Sequence, residues 1–361
     1  MDNAKNMVYE KNNIDRHLKK CSIKIIYPQH WFAPVKLSTF SKTIEDETIS
    51  WMSAIGLIKD SQCLAHVRAM EPRHYAGYTH SMAAYDHALV YCQYITMWLL
   101  WDDECVENVK EYNEAVEIPM LALAGESISP AQRLNPYVNA FLQIGDSYEK
   151  MGASRHWRQR FAEKMIEWAK LAICEESARR LDLTRSARSF DEALQLRSFT
   201  VGIRPNSVTL ERAVGIEIPD YIHADPDYES LLDQAAKICC IVNDLVGVPK
   251  DIKNNQIQSN LILYHQLRNR CSLLESYQAL VGIHDEAVRQ YDLLAGKLLH
   301  KVPYAFQERV HTFFSHLRYM DSGFGYWHQD CIRYQQYVAS DKEFYFTFSI
   351  HDKIEQIALA V

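Results

Sequence analysis

Glycine and proline are scarce: 12 and 11 of 361 residues, each about 3% against usual shares of ~7% and ~5%. A chain so poor in turn residues does not make the many tight connections of a sandwich or barrel. No block of like charge is long enough to act as a tail, and a net charge of −7 argues against a nucleic-acid surface. The first 25 residues are polar and lack the apolar centre of a signal peptide. The longest apolar stretch, around Tyr91 to Trp101, is broken by Gln93 and is too short to span a bilayer. Nine cysteines, Cys21, Cys63, Cys92, Cys105, Cys174, Cys239, Cys240, Cys271 and Cys331, form an odd set without a CxxC pair. Most sit in apolar surroundings, where a thiol packs as a small hydrophobe. A reduced, soluble, cytoplasmic protein without structural zinc is expected.

What is present is ordinary globular material, 48% hydrophobic and 24% charged, long enough to bury a large core. Apolar residues recur at helical spacing over 41–57, 60–67, 79–106, 117–124, 132–151, 153–177, 188–198, 208–215, 227–246, 253–267, 270–298 and 302–335. Breaks fall at Glu71-Pro72, Ser129-Pro130, Gly152, Arg204-Pro205-Asn206 and His223 to Pro226. Period-2 alternation is scarce. The expected fold is all-α in one domain over 26–340, with a loose leader (1–25), a strap at YPQHWFAPVKL (27–37) and a C-terminal tail (341–361).

Two polar stripes interrupt this pattern. In MWLLWDDECVE (97–107), Asp102, Asp103, Glu104 and Glu107 close a strongly apolar helix, and Asp103 and Glu107, four apart, share a face. Carboxylates at a helix C-terminus are disfavoured by the macrodipole, by ~0.3–1 kcal/mol each when exposed, so four of them call for a cation. Oxygen-only ligands suit Mg²⁺, which keeps waters and is completed by substrate phosphates. Taken alone, the run is equally a solvated helix end. The second stripe, in AAKICCIVNDLVGVPKDIKNN (235–255), places positions 243, 247 and 251 at i, i+4 and i+8. Asn243 and Asp251 offer two oxygens and Lys250 a donor to phosphate, with Gly247 leaving a gap between them. Alone, this too reads as an ordinary amphipathic helix end.

Together the stripes resemble the signatures of class I terpene synthases of the microbial type, DDxx(x)(D/E) and NDxx(S/T)xxx(E/D). Asn243 follows Glu107 by 136 positions, and Lys250 stands where that family keeps its lysine. Arg197, in LQLRSFTVGIRP, lies 46 positions before Asn243, where the family has a diphosphate-sensing arginine. GFGYWHQDCIRY (323–334) resembles the C-terminal signature, aligning Gly323, Trp327, Arg333 and Tyr334. The likeness covers roughly residues 45–335, including Trp51 and Gly56.

The resemblance implies a helical bundle around an apolar cavity, with three Mg²⁺ ions (Mn²⁺ as a substitute) binding the diphosphate of a linear isoprenyl substrate at its mouth. It implies Asp102 as ligand, with Asp103 and Glu107 in support, and Asn243 and Asp251 at a third metal with Gly247 contributing at most through water. Arg197, Lys250, Arg333 and Tyr334 would grip the diphosphate. Thr200 and Val201 would occupy a helix break whose carbonyl faces the nascent cation, and Tyr94, Trp98, Phe199 and Trp327 would face the cavity. For each aromatic, core packing is the equal alternative. Three departures stand out: Gly247 for Ser or Thr, Asp251 for the longer Glu, and Pro249, which removes a helix donor. The expected function is cyclisation of farnesyl diphosphate first, geranylgeranyl diphosphate second, with no membrane span, no nucleic acid and room for a homodimer. The rivals are an inactive isoprenoid-diphosphate binder, an all-α scaffold with surface carboxylates, and a chain-elongating transferase, which would need a second Asp-rich motif that this chain lacks.

Overall fold

The computed structural model describes residues 21–108, 111–180, 189–254, 256, 259–339 and 346–353. Its helices are α1 (Ser41–Ala54), α2 (Ser61–Ala69), α3 (Pro72–Thr79), α4 (Tyr85–Glu104), α5 (Glu114–Ala124), α6 (Pro136–Lys150), α7 (Arg155–Arg180), α8 (Phe190–Thr200), α9 (Ile203–Ala213), α10 (Asp220–His223), α11 (Pro226–Lys253), α12 (Leu261–Asn269), α13 (Leu273–Lys301), α14 (Tyr304–Asp330) and α15 (Ile332–Ala339). Among the described residues these helices form a single all-helical domain. Local chemistry sets the ends. Ser189 with Glu192 and Ser272 with Glu275 form capping boxes that start α8 and α13. Pro72 and Pro226 occupy first-turn positions, where a missing N–H costs nothing. The Glu71-Pro72 break is therefore the start of α3, a helix absent from the expected set, and the expected 79–106 helix is α4, which begins at Tyr85.

Two strands, β1 (Cys21–Pro28) and β2 (Phe346–Lys353), add a parallel pair in register from Cys21 opposite Phe346 to Pro28 opposite Lys353. Part of the expected leader and part of the expected tail are thereby joined. In β1, Ile23, Ile25 and Tyr27 are buried while Lys24 and Ile26 face out, the two-residue period of a half-buried strand. The strap that follows is pinned rather than loose. Trp31 is fully buried, its indole N–H donates to Asp292 (3.1 Å), and its carbonyl accepts from Ser322 Oγ (2.7 Å). The first 20 residues and the last eight lie outside the described residues.

One hydrophobic core runs through the bundle, with a small satellite around Ala122, Ile128 and Val138. Helix α11 is central: α8, α13 and α14 pack against it, and it is continuous through Pro249 to Lys253. Asn243 and Asp251 therefore remain on one helix. Helix α14 crosses α3 closely at Gly323, where a Cβ would lie 2.4 Å from the Tyr78 carbonyl oxygen. Only glycine permits that approach, which lays α14 against α3. Among the described residues no helix is long and apolar enough to cross a membrane, and eight cysteines outside β1 are unpaired.

Candidate active site

A cavity of about 210 Å³ opens where the ends of α4, α7, α8, α11 and α14 meet. Its wall is aromatic: Tyr75, Trp98, Trp168, Phe324, Trp327 and Tyr334. Trp98 stands edge-on to Trp168 (centroids 4.8 Å apart), and Tyr75 edge-on to Trp327 (4.4 Å). The polar rim contains Asp102, Glu175, Glu176, Arg197, Asn243, Lys250, Asp251 and Arg333. Charges distant in sequence thus meet at one mouth above an apolar floor.

The α11 side of the rim is a hydrogen-bond lattice. Arg197 donates from Nε (3.0 Å) and Nη2 (2.8 Å) to Asp244 Oδ1, from Nη2 to Asn243 Oδ1 (2.7 Å), and from Nη1 to Thr200 Oγ1 (3.3 Å). Asp244 Oδ2 accepts from the Leu261 N–H (2.8 Å). Burial pushes the Asp244 carboxyl up to about 6, against the pull of Arg197 and the Leu261 amide. Burial likewise opposes the Arg197 charge, which Asp244 and Glu175 more than restore. Asn243 Nδ2 donates to His328 Nε2 (2.9 Å) and to the Tyr334 hydroxyl (3.1 Å).

His328 is one residue that sequence reading missed. Its Nδ1 lies 2.8 Å from the Phe324 carbonyl, so Nδ1 carries the proton and Nε2 is an acceptor. Burial, with Lys250, Arg197 and Arg333 nearby, pushes its pKa down to about 3. The neutral ring therefore fixes the Asn243 amide so that its oxygen points to Arg197.

Across the mouth, Asp103 is held by a two-pronged contact from Arg333, Nη2 to Oδ1 at 3.1 Å and Nη1 to Oδ2 at 3.3 Å, and by His66 (2.9 Å). Burial alone would push this carboxyl up; His66 and Arg333 reverse that and hold it below the usual carboxylate range. Lys250 sits 5.6 Å over the Tyr334 ring and 3.9 Å from Asp251 Oδ1.

The remaining expected residues divide. Trp98, Trp327, Thr200 and Val201 line the cavity. Tyr94 does not: it stacks behind Trp98 (5.4 Å) with its hydroxyl on Met165 Sδ. Phe199 is also outside the wall, lying beneath the Arg204 guanidinium at 3.9 Å. Gly247 is buried against Asp251 and does not line the cavity. The side chain of Glu107 lies outside the described residues. The helix break after Thr200 is present, made by Gly202 at φ +82°, but the Thr200 carbonyl accepts from the Trp168 indole (2.9 Å). Tyr75, Trp168 and Phe324, unforeseen in the sequence, complete the wall.

This donor set fits a hard divalent cation. Oxygen ligands from Asp102, Asn243 and Asp251 face a mouth that also carries three cationic side chains. Among the described residues no three His, Cys, Asp or Glu side chains form a closed cluster, so a cation there would complete its shell with oxygens from water or from an anionic ligand.

The family model for terpene synthase family 2, C-terminal metal binding, matches residues 93–290, more than half of the chain and both acidic stripes. The chain belongs to that family. As a family 2 terpene synthase it is a lyase acting on phosphates. It is 20% identical over 314 residues to pristinol synthase of Streptomyces pristinaespiralis, covering 84% of this chain and 83% of that protein. It is 25% identical over 240 residues to a 7-epi-alpha-eudesmol synthase of Streptomyces viridochromogenes (63% of this chain, 67% of the other). Against terpene synthase 6 of Dictyostelium discoideum it is 25% identical over 182 residues, about half of each chain (48% and 49%). Among solved structures, α-eudesmol synthase superposes with a TM-score of 0.70 at 18% identity, covering 82% of this chain and 96% of that one. Hedycaryol synthase bound to nerolidol gives 0.67 at 16%, with 83% and 99% covered. These likenesses describe the fold.

Proposed function

We propose that this terpene synthase ionises farnesyl diphosphate and cyclises the resulting cation. The observation that carries the reading is the single mouth at which Asp102, Asn243 and Asp251 face Arg197, Lys250 and Arg333 over an aromatic floor. The (2E,6E)-farnesyl diphosphate named for the Streptomyces viridochromogenes relative favours the fifteen-carbon substrate, with geranylgeranyl diphosphate second.

In this reading Asp102, Asn243 and Asp251 hold Mg²⁺, with Asp103 in support. Bound there, the metal supplies positive charge to the leaving diphosphate as the allylic C–O bond breaks. Arg197, Lys250, Arg333 and the Tyr334 hydroxyl donate to the same diphosphate oxygens, stabilising charge that develops only as the bond breaks. The bond's electron pair leaves with diphosphate, and the positive charge stays on the allyl carbon. Trp98, Trp168, Phe324 and Trp327 offer π-faces to that cation and exclude water from it. Ring closure uses the substrate's own double bonds, and loss of a proton or capture of water ends the sequence.

The test is incubation with Mg²⁺ and, separately, geranyl, farnesyl and geranylgeranyl diphosphate, with products read by gas chromatography–mass spectrometry. A cyclic product from farnesyl diphosphate, absent with Asp102→Ala, is expected. Intact substrate in every case, with the wild-type protein folded, would refute turnover and favour the binder.

A further inference from the structure

The departure at Gly247 has a structural partner outside the motif. The space above Gly247 is occupied: a Cβ there would lie 2.9 Å from Asp251 Oδ2, one turn on, and 3.6 Å from Asn260 Nδ2. The Asp251 carboxylate is folded back over the glycine, into the volume that a serine or threonine side chain would fill. It is held there by Asn260, whose Nδ2 donates to Asp251 Oδ2 (2.8 Å) and to the Asp244 carbonyl (2.8 Å).

The orientation of that amide is fixed. Asn260 is fully buried and caps α12, and its Oδ1 accepts from the Ile262 N–H (3.0 Å) and the Leu263 N–H (3.3 Å). A flip would present the amino group to two N–H donors, so the donor face stays on α11. Asp244, tied to Arg197 and to Leu261 N, locks the same α11–α12 junction.

We propose that Asn260 is a positioning residue that seats the Asp251 carboxylate in the place of the missing 247 hydroxyl, so that Gly247, Asp251 and Asn260 act as one unit. Gly247 is then not a defect in a metal site. It is the vacancy that the shorter acid needs. The inference rests on reading Asp251 as a metal ligand, and it makes a prediction opposite to the motif: restoring the family hydroxyl weakens the site, because a side chain at 247 displaces Asp251 from Asn260.

The experiment follows the thermal midpoint of the full chain while Mg²⁺ is titrated at fixed inorganic pyrophosphate, which needs no turnover. The wild-type protein should be stabilised only when both are present; no stabilisation would refute the metal–diphosphate reading itself. Given that response, Gly247→Ser and Gly247→Ala should each raise the half-saturating Mg²⁺ concentration by roughly tenfold or more, the usual effect of disturbing a residue that orients a metal ligand. Both variants should still fold, since each replaces a helical glycine with a better helix former. Asn260→Asp keeps the acceptor that caps α12 but sets an oxygen against Asp251, and should raise the same concentration by roughly 10–100-fold. An Mg²⁺ requirement unchanged or lowered in Gly247→Ser, or unchanged in a folded Asn260→Asp, would overturn the proposal.

Discussion

Gly202 joins α8 to α9 at φ +82°, and a Cβ there would lie 2.3 Å from Trp98 Cη2 and 3.0 Å from Cζ2. Gly202→Ala therefore meets two separate penalties. The left-handed backbone costs an alanine about 1–2 kcal/mol. Displacing Trp98 is an overpacking cost of about 1–3 kcal/mol, because the indole is 5% exposed, stacked on Tyr94 and wedged against Trp168. The sum is about 2–5 kcal/mol of lost stability. The two parts separate in a double-mutant cycle with Trp98→Phe, whose smaller ring lacks the atoms that meet residue 202. In that background Gly202→Ala should cost only the backbone part, giving a coupling of about 1–3 kcal/mol between the sites. Urea unfolding followed by circular dichroism measures all four corners. Additivity within about 0.5 kcal/mol would refute the claim that Trp98 rests on Gly202. Since Trp98 lines the cavity, the single Gly202→Ala variant should also shift product composition.

Two further outcomes are expected. His328→Leu leaves one Asn243 N–H without its acceptor, which should cost about 1–3 kcal/mol in unfolding free energy and raise the Mg²⁺ requirement for pyrophosphate-dependent stabilisation; a change in neither would remove His328 from the site. His80 is buried, stacked on Tyr91 (3.4 Å), and burial holds its pKa well below the usual 6.5. Below pH 6.5 the unfolded chain takes up a proton there that the folded chain does not, so this group's contribution is full above 6.5 and falls with pH. His80→Phe should thus flatten the acid limb of stability against pH by up to about 1.4 kcal/mol per unit; parallel curves for wild type and variant would refute it.

Much of this was legible because helices announce themselves within a few turns. Apolar spacing and the Gly and Pro breaks placed most helices, and the two acidic stripes with Arg197 and Arg333-Tyr334 named much of the rim. What was missed depends on long-range contact. Ile23, Ile25 and Tyr27 do alternate, but the strand's partner is more than 300 residues away, and three residues are too few to outweigh a polar leader. Tyr94 and Trp98 are four apart on one helix face, and only the packing of α7 decides that Trp98 forms the wall while Tyr94 stands behind it. Phe199 shares α8 with Thr200 yet turns to Arg204. Asn260 lies in the loop beyond the second stripe, where no spacing rule looks. His328 sat inside a quoted motif, next to Trp327, and its part is visible only from the carbonyl that fixes its tautomer.

The two arginines of the rim are bound in different ways, and this bears on how the proposed site would take up a diphosphate. Arg333 grips Asp103 through both terminal nitrogens, so turning that two-pronged face to a diphosphate means releasing the carboxylate, which the proposed mechanism assigns to metal support. The exchange trades one charged partner for another on each side and leaves no buried charge alone. Arg197 differs. Asp244 is 1% exposed, and uncovering it would leave a buried carboxylate unpaired, at a cost of about 3–5 kcal/mol. A guanidinium has five donors, and Arg197 holds Asp244 through Nε and Nη2 while the contact to Thr200 is long at 3.3 Å. It can therefore turn Nη1 to a diphosphate without giving up its carboxylate. Arg197 would be the fixed post of the site and Arg333 the partner that changes hands. The break at Cys331 between α14 and α15 places that exchange on a short helix joined to the bundle by a single non-helical residue.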